Sequence, residues 1–267
     1  MQTHSPSPLT GRAAVVTGGG RGIGRAIAHA LASQGASVMV ADLDAGSADR
    51  VAAELASAGT GAAAIGADIS NLADVDRLVD SCVSEFGALD ILVNNAAVTR
   101  FVDVMDITPD DWDLMHSVNA RGTFFAMQRG ARHMIESGLR GGRIVNIASI
   151  AGKAHPGTSN AAYAGSKAAV IAMTAVAAQQ LGKHGININS VNPGLTRTPL
   201  RDELAVQAAE MQGITTDELA VRRAASIPIG RECEPEDIAA MVAFLVGPGG
   251  DAITGQSINV DGGLVNH

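Results

Sequence analysis

Short apolar runs alternate along this chain with longer stretches whose apolar residues recur every three or four positions. The runs are "AAVVT" (13–17), "SVMVAD" (37–42), "AAAIGAD" (62–68), "LDILVNN" (89–95), "GRIVNIAS" (142–149), "ININSVN" (186–192) and "QSINVDG" (256–262). Most are continuously apolar, as expected of strands buried on both faces. Between them lie helical patterns such as "GIGRAIAHALASQG" and "LADVDRLVDSCVSEFG", the second placing Val75, Leu78, Val79 and Cys82 on one face. Gly35, Gly59, Gly87 and Gly185 stand where helices should stop; Pro109 and Pro235 stand where helices should start. The pattern predicts an α/β fold, a doubly wound parallel sheet with helices on both faces. Ligands of such sheets bind beyond the carboxyl ends of the strands.

One interval breaks the alternation. Residues 194–234 hold no predicted strand but carry "RDELAVQAAEMQGITTDELAVRRAAS", a helical insertion read as a lid at about 199–224. Residues 1–8 read as a mobile tail and 9–267 as a single domain. The start, "MQTHSPSPLT", has no basic segment followed by an apolar one, so no export signal is expected. The most apolar run, 168–178, is 11 residues, below membrane-spanning length. A net charge of −8 argues against nucleic acid and anionic membranes as partners. Cys82 and Cys233 form no paired motif, which suits a reducing cytoplasm. His29, His116, His133 and His184 are scattered over helical stretches, and no metal site is indicated.

Two strand ends carry chemistry. The first strand runs into "TGGGRGIG" (17–24), which opens a helix. Its glycines (Gly18, Gly22 and Gly24), with Arg21 and Ile23, would let the backbone approach a diphosphate at the helix start. This is the strand–loop–helix context a dinucleotide loop needs. Asp42 ends the second run, 18 residues after Gly24, where an acid would bond the adenosine ribose 2′-OH and repel a 2′-phosphate. NAD is therefore favoured over NADP, although Arg21 could pair with a 2′-phosphate. Asp68 would reach the adenine amino group, with Ile69 beside it, and Asn95 and Ala96 would line the adenosine side.

Tyr163 is the only tyrosine in a chain that is 3% aromatic. It precedes Lys167 by four residues, so on a helix the two share a face. A phenol near pKa 10 is a poor acid or base at neutral pH, and a neighbouring ammonium would lower that value.

"TGGGRGIG", "NNAA" (94–97), Asn119, Ser149, "YAGSK" (163–167) and "NPGLTRT" (192–198) occur in the order and spacing of a known family. From about Leu9 to Gly263 the chain resembles a short-chain dehydrogenase/reductase of ordinary length. The resemblance implies a single Rossmann-type domain with a seven-stranded sheet. It implies that Tyr163 exchanges a proton with an alcohol oxygen, that Lys167 also binds the nicotinamide ribose, that Ser149 bonds the substrate oxygen, and that Asn119 holds a water beside the lysine. Pro193 and Gly194 would turn the chain at the site, Thr196 would lie near the carboxamide, and Thr198 near the carboxamide or diphosphate. Two departures stand out: Ala97 replaces a glycine, and Thr196 replaces Ile or Val. His155, Asn160 and Leu195 should border the substrate, a secondary alcohol or ketone such as a polyol, sugar or small hydroxyketone. Arg222 and Arg223 read as solvent-facing.

A homotetramer is expected through the fourth and fifth predicted helices, which carry Phe124 and Phe125, and Ala161, Ala164, Ala168 and Ala172. Two other readings compete. A 3-oxoacyl thioester reductase would prefer NADPH and a basic docking surface, which Asp42 and the net charge oppose. A non-catalytic NAD sensor would have no need of both Tyr163 and Lys167.

Overall fold

The computed structural model describes residues 7–100, 102–155 and 160–266, with backbone alone at 200 and 202–204. Its seven strands are β1 (Ala13–Thr17), β2 (Ser37–Asp42), β3 (Ala62–Gly66), β4 (Ile91–Asn94), β5 (Gly142–Ile147), β6 (Ile186–Pro193) and β7 (Ser257–Val260). They form one sheet in the order β3-β2-β1-β4-β5-β6-β7, with every pairing parallel. The order reverses between β1 and β4, which opens a crevice at their carboxyl ends.

Successive residues of a strand serve opposite faces. In β1, Ala14 and Val16 join a core with Ile27, Leu31, Val51, Leu55, Ile238 and Val242, while Val15 joins another with Leu78, Met127, Met134 and Ile188. The first core lies under α1 (Gly22–Ser33), α2 (Ala45–Ser57) and α9 (Pro235–Val246). The second lies under α3 (Leu72–Phe86), α5 (Thr123–Glu136) and α6 (Ala161–Leu181). Double-sided burial is why the strands read as unbroken apolar runs.

Several strands stop short of their predicted ends: β3 at Gly66, β4 at Asn94, β5 at Ile147 and β7 at Val260. Beyond these points the polar side chains take over the backbone. Asp68 accepts from the N–H of Ser70, and the Ser149 hydroxyl from that of Ala151.

The predicted fourth helix is also broken. α4 (Pro109–His116) passes through a π-helical turn (Ser117–Gly122) into α5. The turn carries Asn119, and a Cβ on Gly122 would lie 2.7 Å from the carbonyl oxygen of Ile69. The predicted fifth helix is α6. With the turn after it (Ala161–His184), α6 is long and apolar enough to cross a membrane by length and composition, which corrects the expectation that no stretch reaches that length. Here it packs along β5 and β6 and buries Lys167, Val170, Thr174 and Ala178.

The insertion is two helices. α7 (Pro199–Gln212) ends at Gly213, which takes φ +63°, and α8 (Thr216–Ser226) restarts behind a Thr215–Glu218 capping box. Ala208, Ala209 and Leu219 pack the pair together. At the amino end, Leu9 is buried, while residues 1–6 of the predicted tail lie outside the described residues.

Candidate active site

The glycine loop is held by contacts that leave no room for side chains. A Cβ on Gly24 would lie 2.0 Å from the carbonyl oxygen of Gly18, and one on Gly18 would lie 2.8 Å from Cα of Ala96. Gly18 and Gly22 take φ +61° and +52°. Ile23 tucks against the core under α1, and Arg21 stands exposed at the cap position of α1. Gly22 faces Thr198 across the cleft. The neighbouring strand end locks the loop. Asn95 Nδ2 donates to the carbonyls of Thr17 and Gly18, each at 3.0 Å, and the Thr17 hydroxyl accepts from the N–H groups of Asn95 and Ala96. Asn95 is thus the brace of the loop. The cradle fits a diphosphate, because backbone N–H groups at the start of α1 are approachable only where side chains are missing.

Asp42 ends β2 against this loop. Its Oδ2 accepts from the N–H of Gly20 at 2.9 Å and its Oδ1 from that of Asp44 at 3.1 Å. Asp68 is half-buried and held by its own loop, accepting from the N–H and hydroxyl of Ser70. Ile69 is buried with Val75 and Ala126 behind it. Ala97 departs from the family glycine without strain, since Ala154 is the one non-glycine residue of positive φ among the described residues.

At the other half of the crevice, α6 brings Tyr163 and Lys167 to the end of β5. The Ser149 side chain hydrogen-bonds the Tyr163 phenol, and the Lys167 ammonium donates to the carbonyl of Ile147 at 2.7 Å. The ammonium lies 5.8 Å from the centre of the Tyr163 ring. Tyr163 as a residue is part-exposed, but its phenol is enclosed by protein. Burial pushes the phenol up to about 12, against a smaller lowering by the Ser149 hydrogen bond. Burial also pushes Lys167 down to about 7. The expected lowering of the phenol by Lys167 is therefore overridden here: both groups are desolvated, and desolvation disfavours phenolate and ammonium alike.

Asn119 is fully buried. Its Oδ1 accepts from the N–H of Val98 at 2.8 Å, and its Nδ2 donates to the Val98 carbonyl and to Ser166 Oγ. Ser166 in turn donates to the carbonyl of Tyr163. Asn160, expected at the substrate, is the cap of α6. Its Oδ1 accepts from the N–H of Tyr163 and its Nδ2 donates to the carbonyl of Arg100. Its amide is committed to backbone, and it places Tyr163 rather than facing the cleft with free groups. His155 follows Ala154 at the end of the 3₁₀ turn after Ser149 and is half-buried; residues 156–159 lie outside the described residues.

"NPGLTRT" closes the crevice beside β7. A Cβ on Gly194 would lie 2.7 Å from Cα of Asp261. Pro193 is the last residue of β6. Leu195 accepts from the N–H of Cys233, and Thr196 is buried, its hydroxyl donating to the carbonyl of Gly194. Thr198 caps α7. Arg223, expected to face solvent, is partly buried, with Glu232 near it.

Three parts of the site escaped the sequence: Thr17, Ser166 and the capping role of Asn160. Thr17, ending an apolar strand, and Ser166, inside "YAGSK", were visible as out-of-place hydroxyls. Asn160 before the helical run was a readable cap of the N–H of Tyr163, whereas its second partner, the carbonyl of Arg100, is distant in the chain and gave no signal.

The chain is similar to known proteins over nearly its whole length. The family described as "Enoyl-(Acyl carrier protein) reductase" matches residues 18–265. A sorbitol dehydrogenase of Cereibacter sphaeroides is 39% identical over 255 residues, 96% of this chain and 98% of that protein. A galactitol 2-dehydrogenase of Agrobacterium fabrum is 38% identical over the same shares. Among solved structures, a short-chain dehydrogenase of Burkholderia cenocepacia in complex with NADP has a TM-score of 0.85 and 39% identity, covering 96% of this chain and 99% of that one. An actinorhodin polyketide ketoreductase with NADPH has a TM-score of 0.91 and 34% identity, covering 96% and 98%.

Proposed function

Because the chain belongs to the short-chain dehydrogenase/reductase family, we propose that it moves hydride between NAD and a secondary alcohol or its ketone, with Tyr163 as the proton-transferring group. The observation that carries this reading is the convergence of Ser149, Tyr163 and Lys167 at the end of β5, facing a glycine cradle across the sheet crevice. A polyol is the favoured alcohol, in keeping with the sorbitol and galactitol dehydrogenases among the relatives.

Bound nicotinamide nucleotide would supply the hydride acceptor or donor. The loop 18–24 would hold its diphosphate, Asp42 its adenosine ribose, and Asp68, Ile69 and Ala96 its adenine end. Lys167, Pro193, Gly194, Thr196 and Thr198 would lie along the nicotinamide half, with Asn95 bracing the loop. The Ser149 hydroxyl would hold the substrate oxygen against the Tyr163 phenol. Tyr163 then gives that oxygen a proton in reduction or takes one in oxidation. In oxidation the phenol must act far below its value of about 12, so positive charge beside it has to offset burial. The Lys167 ammonium is the resident source, and Asn119 would anchor the polar path behind it. His155 and Leu195 would border the substrate.

Tyr163→Phe should lose at least a thousandfold in turnover while still binding NADH; wild-type turnover in that variant would remove Tyr163 from the mechanism. A polyol and ketone panel with both nucleotides, followed by nicotinamide absorbance, tests substrate and cofactor together. The NADPH-dependent thioester reductase remains the second reading, favoured by the NADP and NADPH complexes among the structural neighbours. Asp42→Ala should raise NADPH use relative to NADH, and an unchanged ratio would mean that Asp42 does not meet the ribose.

The same proposal places the enzyme in the cytoplasm as a homotetramer. Support for assembly comes from α5 and α6, where Phe124, Met127, Ala131, Ile135, Ala177 and Leu181 line a cavity of about 330 Å³. Val176, also on α6, is 56% exposed.

A further inference from the structure

Helix α6 buries polar side chains and exposes apolar ones. Ser166, Lys167 and Thr174 are each no more than 2% exposed, while Ala172 and Val176 face outward. Burial of apolar surface therefore does not choose this rotation of the helix. Hydrogen bonds hold it instead. Ser166 and Lys167 belong to the site already described. Thr174 does not: it lies two turns further along α6, about 10 Å from Lys167 on the helix axis.

Thr174 ends a buried polar chain that crosses the sheet. Asn94 and Asn146 are register partners on β4 and β5. Asn94 Nδ2 donates to Asn146 Oδ1 at 2.8 Å, and Asn146 Nδ2 donates to Thr174 Oγ1 at 2.9 Å. The Thr174 hydroxyl donates in turn to the carbonyl of Val170 at 2.7 Å. All three side chains are buried, and Asn94 Oδ1 has no hydrogen-bond partner among the described residues. An unpaired buried acceptor costs stability, and apolar side chains of similar shape would fill the space without that cost. Stability alone does not account for the chain, but geometry does. Asn146 is followed in β5 by Ile147, whose carbonyl accepts from Lys167. Consecutive residues of one strand thus grip α6 at two points, two turns apart. A helix held at one point can pivot or roll; held at two, it cannot.

We propose that Asn146 and Thr174 are positioning residues of the reaction: their hydrogen bond fixes the rotation and height of α6 on β5, and through it the place of Tyr163 and Lys167 against Ser149. The proposal rests on the reading that Tyr163 exchanges the proton and Lys167 supports it. A misplacement of about 1 Å that begins far from the chemistry can cost about a hundredfold in rate.

The test uses the whole protein and the alcohol it oxidises fastest among sorbitol, galactitol and 2-butanol, with its preferred nucleotide, across pH. Thr174→Val keeps the branched shape and removes the hydroxyl. It should lower kcat at least about tenfold while the KM for alcohol and nucleotide stays close to wild type. It should also move the acid limb of the kcat profile to higher pH, because the ammonium no longer stands in place beside the phenol. Thr174→Ser keeps the hydroxyl and should restore both the rate and the limb. Thr174→Ala removes the same hydroxyl with less bulk and decides the question should the valine variant fail to fold. A folded hydroxyl-free variant with wild-type kcat and an unmoved limb overturns the proposal, as does a loss that Thr174→Ser shares; both leave the oxidoreductase reading intact. Wild-type protein without turnover, or Tyr163→Phe with wild-type turnover, overturns the reading beneath it, and the proposal with it.

Discussion

Lys167 is 2% exposed and its charge is disfavoured by burial, so the residue proposed to tune the reaction also strains the fold. Its folded pKa of about 7 lies below the unfolded value of 10.5. Between these values the unfolded chain binds more protons than the folded one, so this group makes stability rise with pH from about 7 to about 10. Lys167→Met should therefore be more stable than wild type at pH 6.5, by an amount on the order of a few kcal/mol at most, and the gap in Tm should narrow as pH approaches 10. A gap that is flat with pH would mean that the ammonium is not desolvated. Gly24→Ala makes a contrasting case: its Cβ has no room beside Gly18, so nucleotide binding should fall by more than a hundredfold in titrations. At this scale the sequence was readable where the structure brings the expected side chains together, as at Tyr163, Lys167 and Ser149, and where the loop glycines leave no room for a Cβ. It was silent where a side chain's partner comes from a distant segment. Asn160 is the instance: nothing in its neighbours announces the carbonyl of Arg100.

Asn119 and its π-helical turn show what an element costs when it serves a site. The amide satisfies both the N–H and the carbonyl of Val98. Asn119→Leu should leave these part-buried groups without their partner and lower stability by about 1–3 kcal/mol in denaturant melts. Activity should fall too, because Val98 and Ser166 lose their common anchor. Ala154 is a smaller case. At φ 60° it holds the left-handed conformation at the end of the 3₁₀ turn that Ser149 caps. Ala154→Gly should leave the fold between neutral and about 1 kcal/mol more stable, and a destabilisation in thermal melts would show that the Ala154 methyl makes contacts outweighing the strain. The elements themselves were legible because a parallel sheet buried on both faces leaves long apolar runs. Their ends were not, since Asp68 and Ser149 continue the strand pattern while their side chains already bind loop backbone. The π-turn was also hidden, because "SVNARG" has helical composition and the deviation is set by what Asn119 bonds across the fold.

The buried carboxylate of Glu232 ties the two-helix insertion to the segment that follows it. Glu232 is 8% exposed and pairs with Arg201 of α7 at 3.0 Å, with Arg197 at 3.9 Å and Arg223 of α8 also nearby. Glu232→Ala should remove the buried partner of Arg201 and cost about 1–3 kcal/mol. The expected result is faster proteolytic cutting within 199–226 and a raised KM for the alcohol, with the rest of the chain resistant. For the assembly, Val176→Arg on the exposed face of α6 should reduce the sedimenting species to smaller units, and an unchanged tetramer would place the contact elsewhere.

The strand order has a further consequence for how such a protein can change. On the proposed reading, the residues that would choose between nucleotides hang from β1 and β2, whereas the proton chemistry would hang from β5 and α6. β4 separates them. Changes that retarget the enzyme to another alcohol and changes that swap its electron carrier therefore fall on different sides of one strand. They should combine additively, which makes the two properties independent dials for selection or for an engineer.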